Sequence, residues 1–291
     1  MQYQTTIGRP VSAAGIGLHT GTPVNLTLYP APAYTGLVFR RTDLNSFEIP
    51  AQVEFVTKVS YATTLMNKGV IVATVEHLLS AFWGTGVDNA FIDVDSLEVP
   101  IMDGSADIFI DMIEDAGIVT LPELRHFLRL TKKVEVSVGN SSLSIEPNEE
   151  FSVECLIDFD HPMIGDQYRT FFQHNGNYVS EIASARTFGF SKDVEVLRKS
   201  GLIRGGGLEN AIVLTEDGLL NTDGLRFKDE FVRHKILDII GDVALFGLPV
   251  MGKIRAIRSG HALHTQLVSK VLRDPSAWEI VQLTPAAALA W

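Results

Sequence analysis

The chain has 291 residues, 46% of them hydrophobic and 20% charged, which is typical of a soluble globular protein with two domains of about 120–160 residues. Its formal net charge is −11 without any lysine- and arginine-rich run, which argues against a nucleic-acid partner. The single cysteine, Cys155, excludes an intramolecular disulfide and a cysteine-based zinc site. Since the sequence has neither a signal peptide nor an apolar run of about 18 residues, we expect a cytoplasmic protein without a membrane span.

The first half of the chain predicts strands followed by a mixture of strands and helices. PVNLTLYPAP and GLVFRRTDL have the composition and alternation of strands. Residues 69–118 predict strand, helix, strand, turn and helix, with Thr74 as the N-cap of the first helix and Gly84 or Gly86 at its end. Pro122 interrupts VTLPELRHF, which indicates a linker.

The second half repeats this order. Residues 128–159 predict a strand-rich meander, and residues 179–202 predict helix, break and helix. Two short strands around a turn, a long helix over 229–248 and a strand running into a helix follow. We therefore expect an α+β protein with two similar tandem domains, helices packed against β-sheets, spanning residues 1–122 and 126–291.

The long helix carries a polar stripe. His234, Asp238 and Asp242 recur at i, i+4 and i+8, on one side of a helix whose other residues are mostly apolar. Burying two uncompensated carboxylates on one stripe costs roughly several kcal/mol. This favours a metal cation bound by His234 and Asp238, with an ordinary polar helix face as the alternative.

The stretch TVEHLLSAFWG, residues 74–84, places Glu76 beside His77 without a second histidine one turn later, so other ligands must come from elsewhere. His77, His234 and Asp238 make a two-histidine, one-carboxylate set with an open position for water, which suits zinc and also Fe(II). Glu76 would then accept a proton from the metal-bound water. The alternative for Glu76 is simple stabilisation of a helix N-terminus.

A second histidine group lies in SGHALHTQL. His261 follows Gly260 at the start of a predicted helix. A protonated His261 paired with Asp242 would stabilise an oxyanion and protonate a leaving amine. His264, about one turn further on, is predicted to be structural or on the surface.

Three further residues are weaker candidates. The Thr187 hydroxyl, in SARTFGF, would polarise a substrate carbonyl, and a cap or turn role is the alternative. Lys235 would reach either an anionic substrate group or solvent. His19 lies in GIGLHTG, residues 15–21, a glycine-rich stretch that matches neither a dinucleotide-binding nor a Walker loop.

The sequence as a whole resembles the UDP-3-O-acyl-N-acetylglucosamine deacetylase family, the zinc amidases of bacterial lipid A biosynthesis. The motifs that carry the resemblance run in family order over residues 15–264: GIGLHTG, TVEHLLSA, PIMDGSA, IDFDHP, ARTFGF, DGLRFKDEFVRHKILDIIGD and SGHALH. The resemblance implies two α+β domains with the active site between them. It also implies hydrolysis of the N-acetyl group of UDP-3-O-((R)-3-hydroxyacyl)-N-acetylglucosamine, with Zn²⁺ as cofactor and Fe²⁺ as an alternative in cells. We further expect a monomer.

The resemblance also assigns roles to single residues. The residues that match the metal ligands are His77, His234 and Asp238. Those that match catalytic groups are Glu76 as general base, His261 as general acid or electrostatic stabiliser, Asp242 as its partner, and Thr187 at the acetyl carbonyl or oxyanion. Those expected near the substrate are Lys235, Phe188 by the sugar, Phe159 and His161 by the nucleotide end, His19, and Val194 and Leu197 in an insert over 190–214 that forms an acyl-chain passage.

Two other classes of protein remain open on the residues alone. A zinc peptidase or an Fe(II) oxygenase would use the same triad, and the oxygenase would not need Glu76. A nucleotide-sugar-binding protein with a structural zinc would instead close the site with a fourth ligand.

Overall fold

The computed structural model describes residues 3–174 and 176–283. Its α-helices in this range are α1 Glu76–Thr85, α2 Asp107–Ala116, α3 Ser191–Lys199, α4 Glu230–Val243 and α5 His261–Leu272. Its strands in the same range are β1 Tyr3–Ile7, β2 Val11–Ile16, β3 Pro23–Pro30, β4 Leu37–Arg41, β5 Phe47–Pro50, β6 Val56–Lys58, β7 Thr64–Asn67, β8 Val70–Ala73, β9 Ala90–Val94, β10 Ile118–Leu124, β11 Phe127–Leu130, β12 Val134–Val138, β13 Ser141–Glu146, β14 Ser152–Phe159, β15 Gly165–Phe172, β16 Phe188–Phe190, β17 Ile212–Leu214, β18 Val250–Met251, β19 Lys253–Ile257 and β20 Trp278–Val281. This mixture of helices and sheets confirms the predicted α+β class.

Two five-stranded sheets form the frame of the molecule. Their strand orders are β2-β3-β9-β4-β5 and β12-β13-β19-β14-β15. In each sheet the last strand along the chain lies in the centre and pairs in parallel with one neighbour, β9 with β4 and β19 with β14. The other pairs are antiparallel. The two halves of the chain thus repeat one sheet order, while the domain limits at 122 and 126 remain a prediction.

Helices α1 and α4 pack directly on each other, and glycine makes this approach possible. A Cβ atom built on Gly241 of α4 would lie only 2.0 Å from the carbonyl oxygen of Glu76 in α1. Only glycine therefore fits at this crossing. The contact brings the Glu76–His77 end of one helix beside the polar stripe of the other.

Two local predictions are wrong. Helix α1 begins at Glu76 and Thr74 does not cap it, because the Thr74 hydroxyl donates to Oε1 of Glu98 at 2.7 Å. The predicted linker is mostly strand β10, which pairs antiparallel with β1. Pro122 is tolerated there because the sheet has only two strands and the register is irregular opposite the proline.

The predicted insert at 190–214 is the core of a β-α-β unit. Strand β16 pairs in parallel with β17, and α3 connects them.

Within residues 3–174 and 176–283, no helix has the length and apolar character needed to cross a membrane.

Candidate metal centre and active site

Three donor atoms from α1 and α4 converge. Nε2 of His77 lies 3.6 Å from Oδ1 of Asp238, and Nε2 of His234 lies 3.5 Å from the same oxygen. All three donor atoms lie within 4.8 Å of one another, and the three side chains are buried. His234 and Asp238 are neighbours because they are four residues apart on α4, whereas His77 lies beside them because α1 packs against α4.

This donor set fits a cation. Ligand atoms about 2.1 Å from a tetrahedral ion lie about 3.4 Å from one another, close to the 3.5 and 3.6 Å found here. Nδ1 of His234 contacts the Ala185 carbonyl oxygen at 3.1 Å, which fixes the proton on Nδ1 and leaves the Nε2 lone pair facing the group. Burial lowers the pKa of His234 to about 3, so the ring is neutral as a ligand must be.

Lys235 controls the charge of the metal-binding carboxylate. Its Nζ donates to Oδ2 of Asp238 at 2.8 Å, which leaves Oδ1 as the oxygen that faces both histidines. Although burial opposes ionisation, the ammonium group of Lys235 holds the pKa of Asp238 well below its ordinary value. Asp238 is therefore an anion that can bind a cation through one oxygen.

Glu76 and His261 face each other beside this group. Oε1 of Glu76 lies 3.9 Å from Nε2 of His261, too far for a hydrogen bond, while Oε2 of Glu76 accepts the backbone N–H of Thr63 at 3.0 Å. Burial raises the pKa of Glu76, opposed by the nearby His261 and His77. One oxygen of the carboxylate is thus held by the backbone, and the other is directed at the imidazole.

Asp242 anchors two imidazoles through one oxygen. Its Oδ2 accepts Nδ1 of His261 at 2.7 Å and Nδ1 of His264 at 2.8 Å, while Oδ1 accepts the Thr63 hydroxyl at 2.5 Å. These nitrogen–oxygen distances are hydrogen bonds, too short for two ligands of one ion. Nε2 of His264 also contacts Oγ of Ser259 at 2.9 Å, so the prediction of His264 as structural fits its position whereas surface exposure does not.

The protonation of this cluster follows from its charges. Although burial opposes ionisation, His261 and His264 lower the pKa of Asp242 to about 2. Burial opposes the charged form of His261 as well, but Asp242 and Glu76 raise its pKa to about 10. Burial lowers the pKa of His264. At neutral pH His261 is therefore a cation with its Nε2–H directed toward Glu76.

The ARTFGF segment is fixed against the start of α4. The backbone N–H and Nε of Arg186 donate to Oε1 of Glu230 at 3.0 and 2.9 Å, and Glu230 is fully buried. The N–H of Thr187 donates to the Gly104 carbonyl at 2.8 Å, and its carbonyl accepts the N–H of Ile212 at 2.8 Å. Both backbone groups of Thr187 are thus committed to the fold, and its side chain alone is left for a substrate.

Aromatic rings continue from this segment. Phe188 meets the ring of His234 edge-on at 6.3 Å and that of Phe159 at 5.6 Å. Phe190 lies 6.0 Å from Phe159 and 5.6 Å from His161. Nε2 of His161 contacts a backbone carbonyl at 2.7 Å and Nδ1 accepts a backbone N–H at 3.2 Å. His161 is therefore held by the protein through both nitrogens, and only its ring face remains for a ligand.

His19 supports the insert. Its N–H donates to Oε1 of Glu98 at 2.9 Å, and its carbonyl accepts the N–H of Arg204 at 3.2 Å. Val194 and Leu197 are half-buried and three residues apart on α3. These three predicted substrate residues belong to the insert and the loop beneath it rather than to the metal centre.

A cavity of about 350 Å³ lies elsewhere, at the C-terminal end of α1. Trp83, Gly86 and Leu248 line it together with the ion pair of Arg125 and Asp88. The nearest lining residue on α1, Trp83, lies six residues beyond His77, so about 9 Å of helix separate this cavity from the Glu76–His77 end. The cavity is distinct from the candidate active site.

Comparison with known proteins agrees with this geometry. Residues 4–273 match the family model described as LpxC: UDP-3-O-acyl N-acetylglycosamine deacetylase. A Solibacter usitatus protein named UDP-3-O-acyl-N-acetylglucosamine deacetylase is 47% identical over 281 residues, covering 97% of this chain and 95% of the relative. Proteins of the same name from Myxococcus xanthus and Idiomarina loihiensis are 50% and 46% identical, over 96% and 100% of this chain and 89% and 96% of the relatives.

Proposed function

Since the chain belongs to the UDP-3-O-acyl N-acetylglycosamine deacetylase family, we propose that it hydrolyses the N-acetyl group of UDP-3-O-((R)-3-hydroxyacyl)-N-acetylglucosamine in lipid A biosynthesis. The products are the free amine and acetate. The observation that supports this reaction best is the convergence of Nε2 of His77, Nε2 of His234 and Oδ1 of Asp238 beside the facing pair of Glu76 and His261.

The proposed resident metal is Zn²⁺, with Fe²⁺ as an alternative, because two imidazole nitrogens and a carboxylate oxygen suit both ions. When bound, such an ion supplies Lewis-acid chemistry and lowers the pKa of a water molecule. His77, His234 and Asp238 would hold it. Lys235 would keep Asp238 ionised, and it is the residue proposed to contact an anionic group of the substrate.

Glu76 acts as the general base in this proposal. Its Oε1 takes a proton from the attacking water, whose oxygen forms a bond to the acetamide carbonyl carbon. A carboxylate with a raised pKa accepts this proton more readily than an ordinary one. Burial of Glu76 therefore serves the proton transfer.

His261 then acts on the other side of the reacting carbon. As the C–N bond breaks, Nε2–H of His261 donates its proton to the leaving amine, and acetate is released. Before that step the cationic ring, together with the Thr187 hydroxyl, stabilises the oxyanion. Asp242 keeps His261 charged and fixes the orientation of its ring.

The proposed substrate contacts extend from the centre in two directions. The rings of Phe188 and Phe159 would pack against the sugar and the nucleotide end, where His161 lies, and the insert over 190–214 would pass the acyl chain along Val194 and Leu197. His19 supports that insert. The proposed domains, 1–122 and 126–291, would each contribute part of the site. We also propose a monomer that acts in the cytoplasm.

The test is acetate release from this substrate by metal-loaded protein, with Glu76→Gln alongside. We expect the native protein to release acetate and the variant to be slower by about a hundredfold or more. Treatment with a chelator should abolish release, and added Zn²⁺ should restore it. A native protein that releases no acetate would exclude the proposed reaction, and undiminished acetate release by Glu76→Gln would exclude Glu76 as the general base.

A further inference from the structure

Among the residues that the structure describes, only Thr63 donates hydrogen bonds to both catalytic carboxylates, Glu76 and Asp242. Its hydroxyl donates to Oδ1 of Asp242 at 2.5 Å, and its backbone N–H donates to Oε2 of Glu76 at 3.0 Å. Its carbonyl accepts the N–H of Val75 at 3.4 Å, directly before α1. The side chain is completely buried. All three of its polar groups are therefore used, and they join α1 to α4.

We propose that Thr63 is a positioning residue that sets which atoms of Glu76 and His261 react. The proposal rests on the deacetylase function above, in which these two groups transfer the protons.

Thr63 holds one carboxylate oxygen of Glu76 and one of Asp242, and this determines which oxygen of each carboxylate is left to face a histidine. Because its N–H holds Oε2 of Glu76, Oε1 is the oxygen that faces Nε2 of His261 at 3.9 Å. Because its hydroxyl holds Oδ1 of Asp242, Oδ2 is the oxygen that orients the two imidazoles. Thr63 thus orients Glu76 directly and His261 through Asp242, and it contacts neither of the proposed reacting atoms, Oε1 of Glu76 and Nε2 of His261.

The position of Thr63 follows from the chain around it. The residue directly precedes β7, and β7 pairs with β8, so the hairpin returns the chain next to Thr63 just before α1 begins. Its backbone is therefore fixed to α1 by sequence-local pairing. The side-chain bond to Asp242 is different, because it joins residues 179 positions apart across the two helices.

The test uses three single variants. Thr63→Val keeps the shape and the backbone N–H but removes the hydroxyl, and Thr63→Ser keeps the hydroxyl. Thr6→Val is the matched control, because Thr6 is also buried and its hydroxyl donates to the Asn89 carbonyl at 2.8 Å in another part of the fold. Each variant is assayed for kcat and KM, metal content and Tm.

We expect kcat of Thr63→Val to fall on the order of tenfold or more, with KM and metal content unchanged. Thr63→Ser should restore most of kcat, and Thr6→Val should lower Tm without lowering kcat. Full kcat in Thr63→Val, no rescue by serine, or an equal fall of kcat in Thr6→Val would overturn the proposal.

A second readout does not depend on the substrate. In protein labelled with ¹⁵N-histidine, the Nδ1–H resonances of His261 and His264 report their hydrogen bonds to Asp242. We expect Thr63→Val to shift these resonances, and Thr6→Val to leave them in place. If the native protein released no acetate but the resonances shifted, the deacetylase function would fail while the link from Thr63 to Asp242 stood. Unshifted resonances would refute that link.

Discussion

Replacing Gly241 by alanine should separate the two helices that build the site. The added Cβ would lie 2.0 Å from the carbonyl oxygen of Glu76 and 2.7 Å from its carbonyl carbon. A relaxed contact needs about 3.4 Å or more, so α1 and α4 would have to move apart by roughly 1.4 Å. The 3.6 Å between His77 and Asp238 would then grow to about 5 Å, whereas two ligands of one zinc ion are at most about 4.4 Å apart.

We therefore expect Gly241→Ala to weaken zinc binding by about 10- to 100-fold or more and to lower activity with it. The apo protein should also lose about 1–3 kcal/mol of unfolding free energy from overpacking. The assays are zinc competition against a chromogenic chelator, denaturant unfolding of the apo protein, and acetate release.

A control variant separates the steric clash at Gly241 from the effect of exchanging a glycine for alanine elsewhere. Gly218→Ala places its Cβ 3.5 Å from the nearest side-chain atom, an ordinary contact, and should leave zinc binding unchanged. Helix propensity alone gives the opposite sign at Gly241, since alanine stabilises a helix interior by about 1 kcal/mol over glycine. A Gly241→Ala protein that is more stable than the native one and binds zinc equally well would refute the reasoning.

Two further predictions concern charges around the site. Asp242→Asn removes the charge that raises the pKa of His261 to about 10, so the ring should lose its proton at a lower pH. The alkaline limb of the pH profile of kcat/KM should therefore move down by at least about one pH unit. A limb that does not move would show that His261 does not govern it. Arg186→Met leaves the fully buried carboxylate of Glu230 without its cationic partner and should lower the unfolding free energy by about 3–5 kcal/mol, measured by denaturant unfolding. The double variant Arg186→Met with Glu230→Gln should recover part of that loss.

Periodicity within single elements was enough to predict part of the site. The spacing of His234, Asp238 and Asp242 identifies one face of a helix, and an imidazole beside a carboxylate at Glu76–His77 indicates proton or metal chemistry. These inferences needed only residue types and short separations along the chain. The α+β class also followed from local pattern, because strand and helix periods differ.

Other residues could not be placed in this way. Thr63 carries no motif, and its importance lies in a hydrogen bond to a residue 179 positions away. The predicted capping role of Thr74 fails for the same reason, because its hydroxyl is taken by Glu98, 24 residues along the chain. A side chain with one hydroxyl has several possible acceptors, and only the folded chain selects among them.

The chemistry available to this protein could be predicted from residue types alone, since the donor groups of His77, His234, Asp238 and Glu76 are properties of single residues. How these groups combine is a property of the folded chain. Their distances depend on how closely α1 approaches α4, and that approach depends on the absence of a side chain at Gly241. Metal-ligand and proton-transfer geometry tolerates only displacements well under 1 Å. Packing between distant segments of the chain sets distances with this precision, and local sequence patterns carry no information about that packing.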